Sequence, residues 1–219
     1  MQIISDLIKS DIPIKYKKES FFKNLESNPF FLLIKPNKNI YTNTAYKEYL
    51  EKQIEKLIKK GFRNIEIGWT NNQNWLDYVS NLKLKFPKLN LGSASVVNKK
   101  SIEDSIKIGL NYSMMKVWDK DLFNYSNSKN HLLIPGIKSC KDLREAMDLN
   151  CKIIKIYPVK SNIDLINISQ YKNVDFIAAG GLSISDIPLY KSLGYKAIVV
   201  GEKGFKNNEI DLKIYEWLK

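Results

Sequence analysis

The feature that most constrains this sequence is a regular alternation of short β-type runs with amphipathic helical stretches. The eight runs begin 20 to 34 residues apart: Phe30–Lys35, Asn64–Gly68, Leu89–Ser95, Tyr112–Trp118, Leu132–Ile134, Ile153–Tyr157, Asp175–Ala178 and Ala197–Val200. Between them lie stretches such as 45–60, which places Leu50, Ile54 and Leu57 on one helical face with lysines opposite. Repeated strand-then-helix units predict parallel strands with right-handed crossovers, and eight such units close a barrel. We therefore predict an α/β fold, a (β/α)₈ TIM barrel.

An open, doubly wound sheet is the competing arrangement. It would carry a glycine-rich phosphate-binding turn after the first strand, but the sequence there reads Lys35-Pro36-Asn37-Lys38. A length of 219 residues suits one domain. Within the single domain 1–219 we expect an N-terminal helical extension over 1–28, the barrel core over 29–205 and a C-terminal helix over 206–219.

The net charge of +12 first suggests an acidic partner such as nucleic acid. However, Arg63 and Arg144 are the only arginines, and the lysines are spread along the whole chain. Arginine dominates base reading and bidentate phosphate binding, so we predict no nucleic-acid partner. No apolar run approaches membrane-spanning length, and the first residues lack the basic-then-apolar order of a signal peptide. We expect a soluble, cytoplasmic protein without a membrane partner.

Lys155 differs from the other lysines because it lies in the middle of a predicted strand, between isoleucines. Alternation along the run 153–157 turns Ile154 and Ile156 outward, under the helices, and turns Lys155 into the barrel. Burial disfavours the charged ammonium, so the pKa falls and the neutral amine becomes a nucleophile toward carbonyl carbon. Lys155 is therefore our candidate for Schiff-base chemistry.

Glu66 faces inward by the same argument, because Ile65 and Ile67 share the opposite face of their run. Two roles are open to it. It could neutralise Lys155 in a salt bridge, or it could be the general acid/base that moves protons during imine chemistry.

Five segments in register resemble one known family, the class I KDPG/KHG aldolases (2-keto-3-deoxy-6-phosphogluconate and 4-hydroxy-2-oxoglutarate aldolases). They are Ile65–Ile67, Leu91–Asn98, Leu133–Ile137, Ile154–Pro158 and Ala179–Ser183. The resemblance covers about Phe30 to Phe205. It implies a trimeric barrel, without metal or other cofactor, that forms a lysine imine with a 2-oxo acid and releases pyruvate and an aldehyde.

The resemblance also implies roles for individual residues. Lys155 matches the Schiff-base lysine and Glu66 matches the general acid/base. Ser95 stands where the family has a threonine beside the pyruvate moiety. Gly136, at the rim of the fifth strand where close backbone approach is tolerated, is a further candidate for substrate binding. Gly180 and Gly181 match the backbone cradle for a substrate anion.

The sequence departs from the family pattern at four places. Lys35 replaces an arginine, which keeps the charge but loses the bidentate fork. No arginine follows Glu66, and Lys116-Val117 replaces a proline-glycine. After the last strand, Gly201-Glu202-Lys203 replaces Gly-Gly-Ser, so that Lys203 favours a phosphate and Glu202 opposes it.

Lys116 has three open interpretations. Alternation would turn it inward together with Met114 and Trp118. There it could depress the pKa of Lys155, bind an anionic substrate, or pair with Glu66.

The leading hypothesis is an aldehyde-lyase acting on a 2-oxo-3-deoxy or 4-hydroxy-2-oxo acid. The alternatives are a phosphosugar isomerase or epimerase with Glu66 as its base, and a barrel that has lost activity and binds an anion. The single histidine, His131, and the absence of a clustered ligand set argue against a zinc-dependent aldolase.

Overall fold

The computed structural model describes residues 21–22, 25–162 and 166–218 as an α/β barrel. The parallel strands are β1 (Phe30–Ile34), β2 (Asn64–Gly68), β3 (Asn90–Val96), β4 (Tyr112–Met115), β5 (Leu133–Ile134), β6 (Gly136–Ile137), β7 (Ile153–Ile156), β8 (Asp175–Leu182) and β9 (Ala197–Val200). Their order in the sheet is β5-β4-β3-β2-β1-β9-β8-β7-β6. The predicted barrel is confirmed.

The barrel closes between two short strands that are almost consecutive in the chain. The two ends of the sheet, β5 and β6, are separated only by Pro135. β5 pairs with β4 through Ser113↔Leu133, whereas β6 pairs with β7 through Gly136↔Lys155. The fifth predicted strand therefore exists as two halves, because proline has no N–H to donate to a neighbouring strand.

Helices and short 3₁₀ turns connect the strands around the outside. The helices are α1 (Lys38–Thr42), α2 (Thr44–Lys59), α3 (Gln73–Lys85), α4 (Lys99–Ile108), α5 (Lys120–Ser128), α6 (Cys140–Asp148), α7 (Val159–Asn162), α8 (Ile187–Ser192) and α9 (Leu212–Trp217). Several begin at a side-chain cap, for example Ser139, which accepts a hydrogen bond from the Asp142 amide at the start of α6. None of the helices in the described ranges combines the length and apolarity needed to cross a membrane.

Two apolar clusters follow from strand alternation. The outer cluster packs residues such as Ile65, Ile67, Ile154 and Ile156 against the helices. The inner cluster fills the barrel and includes Phe31, Tyr112, Met114, Ile153 and Ile177. Both faces of each strand are therefore covered, and a polar side chain on the inner face is removed from bulk water.

Most of the predicted extension 1–28 lies outside the described residues. Of its described part, Phe21 and Leu25 belong to the inner cluster. The Phe21 ring stacks on Phe31 at 5.5 Å and meets Tyr112 edge-on at 4.9 Å between centroids. These aromatic contacts lie near the amino ends of the strands, opposite the ends from which a barrel presents its loops for chemistry.

Two segments differ from the predicted boundaries. The C-terminal helix spans only Leu212–Trp217, because a small hairpin of β10 (Phe205–Lys206) and β11 (Glu209–Ile210) precedes it. Strand β4 ends at Met115 and not at Trp118. The β3–β4 register shifts between Ser93 and Val96, so the regular ladder stops at Met115, and Asp119 then caps α5.

Candidate active site

A cavity of about 370 Å³ opens at the carboxyl ends of the strands. The residues around it come from seven strands or the loops that follow them. They are Leu33, Lys35, Glu66, Ala94, Ser95, Lys116, Lys155, Tyr157, Pro158, Ala179–Leu182, Val199 and Gly201–Lys203. Barrels bind their ligands at this end, so the cavity is the candidate active site.

Lys155 stands on β7 with its side chain inside the barrel, as alternation predicted. Its side chain is buried, and its Nζ donates a hydrogen bond to the main-chain oxygen of Met115 at 2.5 Å. Burial lowers the pKa of Lys155 to about 8, and the attraction of Glu66 only partly opposes that change. The neutral amine that imine formation requires is consequently a minor form near pH 7, but it is far more abundant than in an ordinary lysine.

Glu66 lies on β2 and its carboxyl is almost completely removed from solvent. Burial raises the pKa of Glu66 to about 7, while Lys155 and the Tyr112 hydroxyl pull it down. Among the described residues, no ion pair within 4.0 Å includes Glu66 or Lys155. The two groups attract each other at longer range, so the direct salt bridge considered from the sequence does not form. A carboxyl with this pKa can both give and accept a proton near neutrality.

Ser95 lines the cavity at the end of β3 and adopts a left-handed backbone conformation with φ of 60°. A residue other than glycine rarely adopts this conformation unless a local irregularity requires it. The register shift between β3 and β4 is that irregularity. The Ser95 side chain is exposed within this rim, where its hydroxyl can meet a ligand.

Gly136 is the one predicted site residue that does not line the cavity. A Cβ atom at this position would lie 2.6 Å from the Met115 oxygen and 2.9 Å from the Lys116 oxygen. The glycine therefore allows the end of β4 to approach β6. Gly136 therefore helps to place the carbonyl that binds Lys155, and substrate binding by Gly136 stays a prediction.

Lys35, Lys116 and Lys203 line the cavity as the sequence predicted. Lys35 forms an ion pair with Glu202 at 2.6 Å, and the two side chains are 60% and 81% exposed. This contact with Lys35 lowers the pKa of Glu202. Lys116 is exposed beyond the end of β4 and takes part in no ion pair with Glu66.

The position of Trp118 shows that the prediction of an inward-facing Lys116 and Trp118 from strand alternation was wrong for Trp118. It does not line the cavity; it packs against the outer cluster and donates from Nε1 to Glu145 at 2.9 Å. Alternation fails here because β4 has already ended at Met115. Trp69, which follows β2, does not line the cavity either and donates from Nε1 to Asp104 at 3.0 Å.

Gly180 and Gly181 line the cavity with positive φ angles of 114° and 66°. A Cβ on Gly180 would come within 3.0 Å of Pro158 Cα, whereas the space beside Gly181 is open. Glycine is the residue that adopts such angles at little cost. Just beyond, the Ser183 amide and hydroxyl both donate to the Asp186 carboxylate, at 2.7 and 2.9 Å. Ser183 is thus already engaged, and Lys203 is the nearby cation that faces the cavity.

Two features of the site escaped the sequence analysis. The Met115 carbonyl could not be found from residue type, because any residue would supply it. Tyr112 lies beneath Glu66, and the signal that could have revealed it is Gly92, a glycine inside a strand next to an aromatic residue on the neighbouring strand.

A model of the KDPG and KHG aldolase family matches residues 41–216. The chain belongs to this family. The match contains Glu66, Lys155 and every other predicted site residue except Lys35.

One known relative is distant in sequence. The chain is similar to the 2-dehydro-3-deoxy-phosphogluconate aldolase of Pseudoalteromonas atlantica, with 24% identity over 141 residues, 63% of this chain and 65% of the relative. The aligned region thus spans just under two thirds of that relative.

Solved structures of aldolases share the fold. The 2-keto-3-deoxy-6-phosphogluconate aldolase of Zymomonas mobilis, solved with 3-phosphoglycerate, superposes with a TM-score of 0.74 at 18% identity, covering 92% of this chain and 94% of its own. The KDPG aldolase of Legionella pneumophila, solved with pyruvate captured as a covalent carbinolamine, gives a TM-score of 0.71 at 16% identity, covering 90% and 93%.

Proposed function

We propose that this chain is a class I aldolase that cleaves a 2-oxo-3-deoxy or 4-hydroxy-2-oxo acid to pyruvate and an aldehyde. One observation carries the proposal. A buried lysine whose pKa is lowered to about 8 and a buried glutamate whose pKa is raised to about 7 share one cavity at the carboxyl end of the barrel. Family membership and the carbinolamine trapped in the Legionella relative support the same chemistry.

The first stage of the reaction is imine formation. The neutral Lys155 amine attacks the C2 carbonyl carbon of the substrate to give a carbinolamine. Protonated Glu66 gives its proton to the departing hydroxyl, and water leaves as the iminium ion forms. Buried Glu66 is a carboxylate after this step, beside a cationic iminium that stabilises it.

The second stage is carbon–carbon cleavage. The Glu66 carboxylate accepts the proton of the C4 hydroxyl, the C3–C4 bond breaks, and its electron pair moves into the enamine as the aldehyde leaves. Protonated Glu66 returns this proton to C3 of the enamine. Water then hydrolyses the resulting iminium to pyruvate and the free amine, and Glu66 takes up the proton that is released. Glu66 moves a proton in both directions, which suits a pKa near the working pH.

The substrate's anionic groups would meet the remaining cavity residues. We propose that Ser95 and Lys116 contact the pyruvate carboxylate end, and that Gly180, Gly181, Lys35 and Lys203 receive the distal end. Support comes from their common place on the cavity wall.

We also propose that the enzyme is a cytoplasmic homotrimer. Val97 and Val117, which follow the adjacent strands β3 and β4, are 47% and 42% exposed and offer an apolar surface for association. Analytical ultracentrifugation of the wild type and of a Val97→Asp, Val117→Asp variant tests the assembly, and a fluorescent fusion tests the location.

Borohydride reduction in the presence of pyruvate tests the central proposal. We expect an irreversible pyruvyl adduct on the peptide that contains Lys155, found by peptide mass spectrometry. Lys155→Met should abolish the adduct, whereas Lys107→Met, an exposed lysine on α4, should not. An adduct confined to another lysine, or no adduct, contradicts the proposal. Turnover of a phosphosugar by Lys155→Met would instead indicate the isomerase or epimerase alternative, and thermal stabilisation by anions without turnover would indicate the inactive barrel.

A further inference from the structure

Glu66, Gly92 and Tyr112 lie at one level across three adjacent strands. Glu66 on β2 is the register partner of Gly92 on β3, and Gly92 is the register partner of Tyr112 on β4. The middle position has no side chain. A Cβ there would lie 2.4 Å from Cε2 and Cζ of the Tyr112 ring, so the ring occupies the space above Gly92. The tyrosine therefore extends across β3 toward the glutamate.

The far end of the Tyr112 side chain is polar in an apolar environment. Its ring packs against Phe21 and Phe31, with centroids 4.9 and 5.7 Å away. Its hydroxyl is buried and has no hydrogen-bond partner among the residues that the structure describes, and the same is true of Glu66 Oε1. A buried hydroxyl without an acceptor is costly, and native proteins contain few of them. The charged form of Glu66 is the acceptor that this geometry offers.

We propose that Tyr112 is a positioning residue for Glu66, and that its hydroxyl donates a hydrogen bond to the Glu66 carboxylate when that group is ionised. This inference rests on the proposed aldolase function. Each proton that Glu66 gives up leaves a buried carboxylate on the cavity wall, beside the apolar side chain of Leu33. The tyrosine would stabilise that carboxylate from beneath while the upper side of the group faces the substrate.

Tyr112 differs from the other side chains around Glu66 in its ability to donate a hydrogen bond throughout the reaction. Leu33 on β1 is the register partner of Glu66, and Tyr112 and Lys155 act on it from β4 and β7. The other charged or titratable side chains that share its cavity are Lys35, Lys116, Tyr157, Glu202 and Lys203. Leu33 is apolar, and Lys35 and Lys116 are exposed at the mouth. Lys155 is consumed as the nucleophile, so its ability to donate hydrogen bonds changes during the reaction. Tyr112 keeps its proton throughout, because burial and the nearby Glu66 raise its pKa well above the ordinary value.

The test compares two buried tyrosines. Tyr78 on α3 also has a buried hydroxyl without a hydrogen-bond partner in the described part of the chain, but it belongs to the outer cluster. The Glu66 carboxyl is titrated by ¹³C NMR in the full-length free enzyme labelled at glutamate Cδ, with Glu66→Gln identifying its signal. Tyr112→Phe should raise the pKa of Glu66 by about one unit, because a hydrogen bond to the charged form is lost. Tyr78→Phe should leave it unchanged.

A second readout follows catalysis. The limb of the pH profile of kcat/KM that reports Glu66 should move in Tyr112→Phe by the same amount as the NMR titration. If Tyr112→Phe fails to fold, 3-fluorotyrosine at position 112 replaces it. That side chain has nearly the same shape and a more acidic hydroxyl, so it should lower the pKa of Glu66.

The proposal is overturned if the Glu66 titration in Tyr112→Phe matches the wild type, or if fluorination leaves it unmoved. Failure of the aldolase proposal would look different. In that case borohydride and pyruvate would give no adduct on Lys155, while the titration of Glu66 in the free protein would still respond to Tyr112.

Discussion

The Lys155 ammonium and the Met115 carbonyl face each other across the split fifth strand. Nζ of Lys155 on β7 lies 2.5 Å from the oxygen of Met115 on β4. Gly136, the register partner of Lys155, lies between them and has no side chain to obstruct the contact. Because residue 136 has no methyl group, β4 can pack close to β6, and the Met115 carbonyl can orient the amine of the candidate nucleophile.

Gly136→Ala should damage both the fold and the nucleophile. The new Cβ would meet the Met115 oxygen at 2.6 Å, so the end of β4 must move and the hydrogen bond to Lys155 must lengthen. Overpacking of this kind costs about 1 to 3 kcal/mol of unfolding free energy. We expect a lower midpoint in urea and slower borohydride trapping of pyruvate.

Gly68→Ala is the matched control for that substitution. Gly68 ends β2, and its nearest neighbour to a new Cβ is Pro36 Cδ at 3.4 Å, an ordinary contact. Equal loss of stability and trapping rate in the two variants would contradict the argument for Gly136.

The coupled pair of Glu66 and Lys155 should produce a minimum of stability near neutral pH. Glu66 has a folded-state pKa raised to about 7, so its stabilising contribution is present below its unfolded pKa and is lost as the pH rises through about 7. Lys155 has a pKa lowered to about 8, so its contribution is present above its unfolded pKa and is lost as the pH falls through about 8. Between these values the native state carries the cost of burying both charges.

Thermal denaturation from pH 5 to 10 measures this minimum. Glu66→Gln should remove the decline of Tm on the acidic side, and Lys155→Met should remove the rise of Tm on the alkaline side. We expect Lys155→Met to be more stable than the wild type at pH 7.5 and inactive. A wild-type profile that is parallel to those of both variants would show that the pair does not govern stability.

Lys116→Met should discriminate between two roles of that lysine. If Lys116 binds the substrate carboxylate, the pyruvate concentration that gives half-maximal trapping rises about tenfold or more, as expected when a charged partner is lost. If it depresses the pKa of Lys155, the pH dependence of trapping moves to higher pH instead. Lys107→Met controls for the loss of one positive charge. If neither the pyruvate concentration for half-maximal trapping nor the pH dependence of trapping changes, Lys116 has neither role.

Glu202→Gln should favour phosphorylated substrates. Glu202 holds Lys35 in an exposed ion pair at the cavity mouth, so its carboxylate both occupies that lysine and repels an incoming dianion. Exposed pairs are weak, and we expect about a two- to fivefold lower KM for a phosphorylated 2-oxo acid and little change for its unphosphorylated counterpart. Glu216→Gln, an exposed glutamate on α9, provides the same charge change elsewhere. Equal changes of KM in both variants would indicate that KM responds to the net charge of the protein and not to the Lys35–Glu202 pair.

The sequence predicted the inward positions of Lys155 and Glu66 because both lie within strands whose neighbours are isoleucines. Strand alternation has a period of two, so the apolar partners determine which way the polar residue points. The same reasoning failed at Trp118, since alternation holds only while the strand continues and β4 ends at Met115. Sequence alone does not show where a ladder loses its register.

Tyr112 and Gly136 show a second limit of sequence reasoning. Each acts through a residue on another strand, Glu66 for the tyrosine and Met115 for the glycine. Strand registers determine such partnerships, and a single sequence does not contain them. The family resemblance implied a site role for Gly136, whereas the approach of Met115 explains why the position lacks a side chain.

The break at Pro135 gives the barrel an unusual kind of seam. Its two edges, β5 and β6, are consecutive in the chain, so covalent bonds hold the circle together where hydrogen bonding between strands is interrupted. The two edge strands cannot separate from each other at this point unless the peptide chain is cleaved. Two separately expressed fragments that meet at Pro135 would each keep one half of the fifth strand, β5 with Met115 and β6 with Lys155. Reassembly of the two fragments would then be reported by the restored reactivity of that lysine.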